Sequence, residues 1–478
     1  MSNAGQILRT YHWQLRVSER RTLLLIGDFI AAFIALGISL YFWGISERFM
    51  GFSLEFLQKR VPAWFYFLPL VWLLLMVELY DVHRAADWNQ TIRRVAGAVL
   101  IGLVLYLALY FYYNAPPRSL LPRRGVASYL ITVFILTLFW RRLYIQVFTR
   151  SQFMRRVLLV GGGNSGQMLL KSFGELKVLP FVLAGIIDDD PGKLGLKVEG
   201  VPVIGSSEQL LRLAREKNIS DVIVAITGEM QGGMFQTLLD AQEQGVEILR
   251  MPTAYEEIMG RVPILMLEAN WILRSFVDEL RVSGFYLLIK RTLDILGGLL
   301  GTLAMLVLLP MIAVLTVMDD GLPVFYKQTR FGKGGQPYDI LKFRTMRRDA
   351  EADGQPKWAR EADERATRVG RVLRRTHLDE LPQFVNVLRG EMSLVGPRAE
   401  RPEMVEYFQK HIPFYRARLL VKPGITGWAQ VNFGYASTIE ETIVKLEYDL
   451  FYIKHRGVIM DMVILLRTPA TVLGLRGR

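Results

Sequence analysis

ILGGLLGTLAMLVLLPMIAVLTVM, residues 295–318, is a run of 24 residues without a charge. By length it is a membrane-crossing helix, which needs about 20 apolar residues. Pro310 complicates that reading. It removes one amide donor and crowds the preceding turn, so it can break the helix inside the apolar run. Two forms remain open: a straight crossing with a proline kink, and a re-entrant helix that bends at Leu309-Pro310 and returns to the side it came from. Backbone groups freed at such a bend need partners inside the protein. Gly297, Gly298 and Gly301 would let another helix pack closely. Lys290, Arg291 and Asp294 open the stretch.

The upstream chain favours the re-entrant form. Four apolar segments precede it, near residues 23–43, 64–80, 95–113 and 126–140. Trp43, Trp64, Trp72 and Trp140 lie in or near their ends, as interfacial aromatics do. Arg9, Arg16, Arg20 and Arg21 precede the first segment. Arg84, Arg93 and Arg94 follow the second, and Arg141, Arg142, Arg150, Arg155 and Arg156 follow the fourth. The remaining two connections carry fewer cations. By the positive-inside rule the N-terminal flank and everything after Arg156 face the cytoplasm. A fifth crossing would put the C-terminal part on the opposite side from the domain that precedes it. Asp28 is the exceptional charge in the first segment, read as a helix-end or bundle-facing group. No cleavable leader is expected, because the first apolar run is long and lacks a convincing cleavage site.

That preceding domain begins with an apolar strand running into Gly161-x-Gly163-x-x-Gly166 and a helix. A second strand at 181–187 ends in Asp188-Asp189-Asp190, where a ribose-binding acid would sit. Strands and helices then alternate to about residue 251, which describes a Rossmann-type α/β domain. Gly161, Gly163, Gly166 and Asp188 are candidate nucleotide-binding residues. A tight turn that merely packs helix on strand explains the glycines equally well. No Tyr-x-x-x-Lys pair is present to suggest catalysis here.

Downstream, residues 323–346 read as a hairpin around Gly332-Lys333-Gly334-Gly335. It places Lys327, Arg330, Lys342 and Arg344 near one end or face. A charged stretch, 347–364, leads to Arg368, Arg371, Arg374 and Arg375, and then to Asp379-Glu380. On a helix these two carboxylates point about 100° apart. One can face a reacting centre and the other a metal ion or second substrate. The arginines offer forked donors suited to phosphate, and carboxylates beside them should stay ionised. The turn Gly396-Pro397 would fix Arg398 as a phosphate clamp. Two final helices, 438–455 and 458–473, mix aromatic, aliphatic and basic residues. They are expected to lie amphipathically in a membrane surface, with ordinary core packing as the other option.

Composition narrows the classes. Of 478 residues 51% are hydrophobic, and the net charge is +13. Mean hydropathy is +0.24, high for a soluble chain. The basic balance points to membrane surfaces or phosphate-bearing substrates; no aromatic–basic module suggests nucleic acid. The absence of cysteine excludes disulfides, thiolate metal sites and cysteine nucleophiles, and five histidines make a histidine metal cluster improbable.

From Phe285 onward the chain resembles the bacterial sugar transferases, the polyprenyl-phosphate hexose-1-phosphate transferases. Lys290-Arg291-x-x-Asp294, Gln328-x-Arg330-x-Gly332, Lys342-Phe343-Arg344-Thr345-Met346, Leu378-Asp379-Glu380-Leu381-Pro382-Gln383, Met392-Ser393-Leu394-Val395-Gly396-Pro397-Arg398 and Lys422-Pro423-Gly424-Ile425-Thr426-Gly427 carry the likeness. With its N-terminal half the chain looks like the family's long form. The resemblance implies a membrane α plus α/β fold. A four-helix transmembrane bundle (1–150) and a Rossmann-like domain (151–260) precede a linker (261–284). A phosphoglycosyl transferase domain (285–478) follows, with a re-entrant helix at 285–318. It further implies transfer of hexose-1-phosphate, galactose or glucose, from a UDP-sugar to undecaprenyl phosphate with release of UMP. The setting is the cytoplasmic face of the inner membrane, in the initiation of exopolysaccharide, O-antigen or capsule units. Asp379 is then the nucleophile that forms a covalent phosphosugar intermediate. Glu380 is its partner. Mg²⁺ lies close to Asp379, and Arg374, Arg398, Lys342, Arg344 and Arg330 serve the phosphates. A homodimer through the N-terminal half is expected by the same analogy. Two departures stand out. Leu309 precedes Pro310 where the family commonly has serine, which leaves the bend without a side-chain cap. Ala399 follows Arg398 where proline is usual, which predicts a looser loop. The competing expectation is a membrane-tethered nucleotide-sugar oxidoreductase or epimerase that uses the Rossmann-like domain.

Overall fold

The computed structural model describes residues 15–47, 50–112, 122–149, 153–176, 179–226, 228, 230, 232–266, 282–348, 365–434 and 436–472. Arg9, Arg48, Arg118, Arg150, most of the expected 261–284 linker and the charged stretch 349–364 lie outside them. The chain forms two compact units, Met1–Ile258 and Met259–Arg478.

The first unit opens with the 30-residue helix Val17–Ser46. The Arg16 amide donates to the Glu19 carboxylate (2.7 Å). This places an acid at the positive end of the helix. Trp88–Tyr112 and Arg123–Phe148 follow as helices of 25 and 26 residues. With Gly284–Asp320 in the second unit, they make the four helices long and apolar enough to cross a membrane among the described residues. The expected second crossing differs. Residues 64–80 fold as a 3-10 turn, Ala63–Phe67, a short helix, Leu68–Leu75, and another 3-10 turn, Val77–Tyr80. Pro69 opens the middle piece without an amide to donate backward. Glu78 in the last piece is drawn to Arg94 and Arg84.

Asp28 is a bundle-facing group. The Arg141 fork donates to both of its carboxylate oxygens, and Arg141 Nη1 donates to the Leu79 carbonyl at 2.8 Å. Both side chains are fully buried. The pair ties the first long helix to the third and to the segmented one. A buried pair survives because each charge satisfies the other, so removing one partner strands the other. Asp28→Asn is expected to destabilise the unit by about 3–5 kcal/mol, read as a lower melting temperature in detergent. An unchanged melting temperature would show that the pair contributes little.

The α/β part of this unit has a six-stranded sheet. Its strands are β1 (Arg155–Val160), β2 (Phe181–Ile187), β3 (Lys197–Val198), β4 (Val201–Gly205), β5 (Asp221–Val224) and β6 (Glu247–Arg250), in the order β3-β4-β2-β1-β5-β6. All neighbours are parallel except β3 and β4. Leu158, Leu159 and Val160 are almost wholly buried, as strands covered on both faces must be. The order reverses at β1, so the glycine turn after Val160 lies at the switch point where α/β sheets bind ligands.

The second unit is organised on the 37-residue helix Gly284–Asp320. The expected break at Leu309-Pro310 is not a break in the helix, whose span contains both residues. Met305, Leu308, Leu309 and Ile312 pack into one cluster with Phe343, Leu373 and Leu378, which holds the turns on either side of the proline. Leu309 therefore serves by packing, not by capping. The glycine face is close-packed as expected: a Cβ on Gly301 would stand 2.2 Å from the Phe384 ring. The opposite face is bare, with Leu300 and Val307 each 70% exposed.

Both ends of this helix are bonded to the same unit. Near the start, Lys290 pairs with Asp461 (2.9 Å). Arg291 donates to the carbonyls of Val387 and Leu388 (2.9 and 2.8 Å). Asp294 accepts from the Ser393 hydroxyl and the Leu394 amide, both at 2.8 Å. At the finish, Asp319 accepts from the Val369 amide (2.8 Å), and Arg344 donates to the Asp320 carbonyl (3.0 Å).

The predicted hairpin forms, with β7 (Phe325–Phe331) antiparallel to β8 (Pro337–Phe343). Helices Arg368–Thr376 and Gln383–Arg389 follow. Strands β9 (Ser393–Val395) and β10 (Gly424–Thr426) pair in parallel. Helix Ile439–His455 is a core element. It buries Leu446, Leu450, Tyr452 and Ile453, and among the described residues it exposes no large apolar side chain. The expectation that it lies in a membrane surface is therefore corrected to core packing. Val458–Val472 does present Ile459, 82% exposed, and Met462. The first residues of the expected linker also pack here: Val262 and Ile264 join the core, and just before them Trp428 donates to the carbonyl of Gly260, the last residue of the expected 151–260 domain, at 2.8 Å.

Candidate active site

Asp379 and Glu380 do not lie on a helix. Helix Arg368–Thr376 ends at His377, which takes a left-handed backbone (φ +57°), and Leu378–Glu380 then forms a 3-10 turn. Such a turn sets neighbours about 120° apart. A non-glycine residue in this conformation costs energy and is typical of functional turns. The divergence inferred from a helix is thus kept, by different geometry.

The two carboxylates have opposite surroundings. Glu380 Oε1 accepts from Lys342 Nζ and from Arg398 Nη2, each at 2.8 Å. Burial pushes its carboxyl up, but Arg398 and Lys342 outweigh this and hold it well below the usual range. Asp379 is 8% exposed. Among the described residues no donor bonds its carboxylate. Burial raises it above the usual range and the Glu380 charge adds to that, against the pull of Lys342 and Arg398. Glu380 thus lies among cations that favour its charged form, while at Asp379 burial works against Lys342 and Arg398.

Three segments bring these groups together. Lys342 comes from β8, opposite Tyr326. Asn386, fully buried, locks that strand to helix Gln383–Arg389. It accepts from the Leu341 amide (3.1 Å) and donates to the Asp339 carbonyl (2.8 Å). Arg398 comes from the loop after β9. The Arg418 guanidinium donates to the Arg398 carbonyl (3.0 Å), to Asp449 (2.8 Å) and to the Tyr415 hydroxyl (2.8 Å). Arg330 donates to the Ala399 carbonyl at 3.3 Å, so the loop is held although Ala399 stands in place of proline. Asn386, Arg418 and Asp449 were not picked out from the sequence. Their hydrogen-bond partners in other segments lie 20 to 47 residues away in the chain, and no local pattern marks them.

The other candidates divide. Arg374 and Arg375 occupy the last turn of the helix that leads into the site, with no ion-pair partner among the described residues. Arg344 is 7% exposed and caps the end of the long apolar helix. Arg330 sits at the far end of the hairpin from Lys342 and bonds Gln328 and Ala399. Neither bonds the two carboxylates. Leu309 packs against the same cluster as Leu378, one residue from Asp379. In the first unit, Gly161 takes φ +99°, and a Cβ on Gly166 would stand 2.1 Å from the Gly161 carbonyl, so both glycines are needed to make the turn. Asp188 accepts from the Gly162 amide (2.7 Å) and from Lys193 (3.1 Å). Burial raises its carboxyl, but the Asp190 and Gly162 amides, with Lys193, bring it below the usual range.

One carboxylate clamped between two cations, beside a second that is buried and has no bond among the described residues, could serve phosphoryl chemistry. Comparison with known proteins agrees. Residues 285–474 match the family model "Bacterial sugar transferase", and residues 76–252 match the model "CoA-binding domain". The UDP-glucose:undecaprenyl-phosphate glucose-1-phosphate transferase of Escherichia coli (strain K12) is 34% identical over 328 residues, 66% of this chain and 67% of that protein. The chain belongs to the bacterial sugar transferase family. Other relatives of this family member differ in sugar. The UDP-galactose-lipid carrier transferase of Erwinia amylovora is 30% identical over 67% of this chain and 68% of its own. The UDP-N-acetylgalactosamine-undecaprenyl-phosphate N-acetylgalactosaminephosphotransferase of Aeromonas hydrophila is 42% identical over 46% of this chain, and the match spans half of that protein's length. This transferase family member is a membrane protein, with its family-defining residues in the second unit.

Proposed function

We propose that this chain transfers hexose-1-phosphate, with galactose or glucose as the sugar, from a UDP-sugar to undecaprenyl phosphate. The observation that carries the reading is the asymmetric acid pair: Asp379, with no bond to its carboxylate among the described residues, beside a Glu380 gripped by Lys342 and Arg398. In the first step an Asp379 oxygen attacks the sugar-linked phosphorus. The bond from that phosphorus to the bridging oxygen breaks, and UMP leaves with the electron pair. In the second step an oxygen of undecaprenyl phosphate attacks the same phosphorus. The aspartyl–phosphorus bond breaks and a sugar-diphospholipid is released. Splitting one transfer into two displacements is the usual gain of a carboxylate nucleophile. Lys342 and Arg398 meet the charge on the phosphates, and Arg374 adds a cation at the approach.

A Mg²⁺ ion would have Asp379 as its protein ligand, with substrate phosphates and water filling the rest. Mg²⁺ in phosphoryl-transfer sites commonly uses one or two carboxylates in this way. The unbonded Asp379 carboxylate fits that role, and among the described residues no cluster of three acidic or histidine ligands competes for the ion. When bound, the ion would neutralise phosphate charge.

The re-entrant reading of helix Gly284–Asp320 is supported by its two ends, since Lys290 and Asp320 both bond one compact unit. A polar unit cannot straddle a bilayer, so both ends belong on the same side. With the arginine distribution, that side is the cytoplasm, where UDP-sugars are found. The test is UMP release by the purified protein with Mg²⁺, undecaprenyl phosphate and a panel of UDP-sugars. Release with one or more hexoses supports the reading, and none with any sugar overturns it. The oxidoreductase alternative is separated by Gly163→Val. A Cβ there meets nothing within 4 Å, so the fold should tolerate it. UMP release is expected to persist in Gly163→Val, and its loss in a folded protein would favour the alternative.

A further inference from the structure

Arg398 touches Glu380 from a loop with no secondary structure of its own, yet that loop and the end of β9 before it are held at their carbonyls. Val395 O accepts from Lys290 Nζ at 3.0 Å, and Pro397 O from the Gly424 amide at 2.8 Å. Ala399 O accepts from Arg330 at 3.3 Å, and Glu400 O from the Phe331 amide at 3.2 Å. The carbonyl of Arg398 itself is held by Arg418. That side chain is 4% exposed, so its charge must be fully matched inside the protein. Asp449 (2.8 Å) and Glu400 (3.2 Å) match it, and Lys445 balances Glu400 at 2.8 Å. Of the five N–H donors a guanidinium offers, Arg418 aims one at a backbone oxygen of a candidate phosphate-binding residue.

We infer that Arg418, backed by Asp449 and Glu400, is a positioning residue that sets the reach of Arg398 toward the transferred phosphate. Arg418 does not touch Glu380 or Asp379 and acts through the Arg398 backbone. The inference rests on the transferase reading above. A lysine at 418 keeps one positive charge for the buried acids but cannot span Arg398, Tyr415, Glu400 and Asp449 together, because it lacks the planar fork. A shift of about 1 Å in a phosphate-binding group can cost on the order of 10²-fold in rate.

The experiment is a double-mutant cycle on UMP release by the full-length protein, using Arg418→Lys, Arg398→Lys and the pair. Melting temperature in detergent is measured alongside. Arg418→Lys alone is expected to lower kcat/KM by about 10- to 100-fold, through KM for the UDP-sugar more than through melting temperature. In the Arg398→Lys background the same change is expected to cost no more than about threefold, because the group it positions has already been shortened. An equal loss in both backgrounds would mean that Arg418 acts on the fold at large and would overturn the inference. So would full activity of Arg418→Lys. If Arg418→Lys does not fold, Asp449→Asn takes its place in the cycle: a loss confined to the Arg398 background supports the inference, and an equal loss in both, or none, overturns it. A wild-type protein that releases no UMP would strike the transferase reading itself, which keeps the two failures distinct.

Discussion

Asp379→Asn is expected to lower sugar-phosphate transfer by roughly 10⁴-fold or more, the scale on which loss of a covalent nucleophile usually registers. Asparagine keeps the shape and leaves the Glu380–Lys342–Arg398 cluster in place, since none of those bonds includes Asp379. Melting temperature should therefore hold or rise slightly, because burial of most of a charged carboxylate with no hydrogen bond among the described residues is unfavourable for the fold. The wild-type pH profile should carry the same signature. Asp379 must be ionised to attack, and burial, with Glu380 beside it, sets its carboxyl above the ordinary range. Activity should therefore fall along an acid limb as the Asp379 carboxyl is protonated, at a pH that bound Mg²⁺ would lower. An Asp379→Asn protein with near-normal turnover would show that Asp379 is not the nucleophile.

Glu380→Gln is expected to cost about 10²- to 10³-fold in kcat/KM. The amide oxygen can still accept from both groups but carries no charge to balance Lys342 and Arg398, each 2.8 Å from the same Glu380 oxygen. Those cations would then rearrange or bind solvent anions, and the phosphates would meet a less ordered clamp. The sign of the pH effect separates this from a general loss of structure. The Glu380 charge raises the Asp379 carboxyl, so its removal should move the acid limb to lower pH even as the maximum falls. A lower maximum with an unmoved limb would argue that the two acids are not coupled.

The order of blocks from Lys290 to Gly427 made the catalytic unit legible, and the three long N-terminal helices were readable from length and polarity. The broken helix at 64–80 was not, because Pro69 and Glu78 act on hydrogen bonding more than on mean hydropathy. Asp379 and Glu380 were readable as adjacent carboxylates among cations. Their contrast was not, because it depends on Lys342 and Arg398, 38 and 18 residues from Glu380 in the chain. Arg344 was expected by the resemblance to serve the phosphates. One residue past the end of β8, it meets the last carbonyls of the apolar helix, where a cation is also favoured. The Lys290-Arg291-x-x-Asp294 block was legible as a motif, but its use is mechanical. It docks the membrane helix onto the segments that carry Gln383–Arg389 and the Arg398 loop.

The most direct measurement omits the acceptor. Purified protein is mixed with Mg²⁺ and a sugar-labelled UDP-hexose in the absence of undecaprenyl phosphate, and both UMP and protein-bound label are followed. A stoichiometric burst of UMP is expected, with the label retained on the peptide that contains Asp379 and discharged when lipid phosphate is added. UMP that appears only once the lipid is present, with no label on the protein at any time, would contradict a covalent aspartyl intermediate.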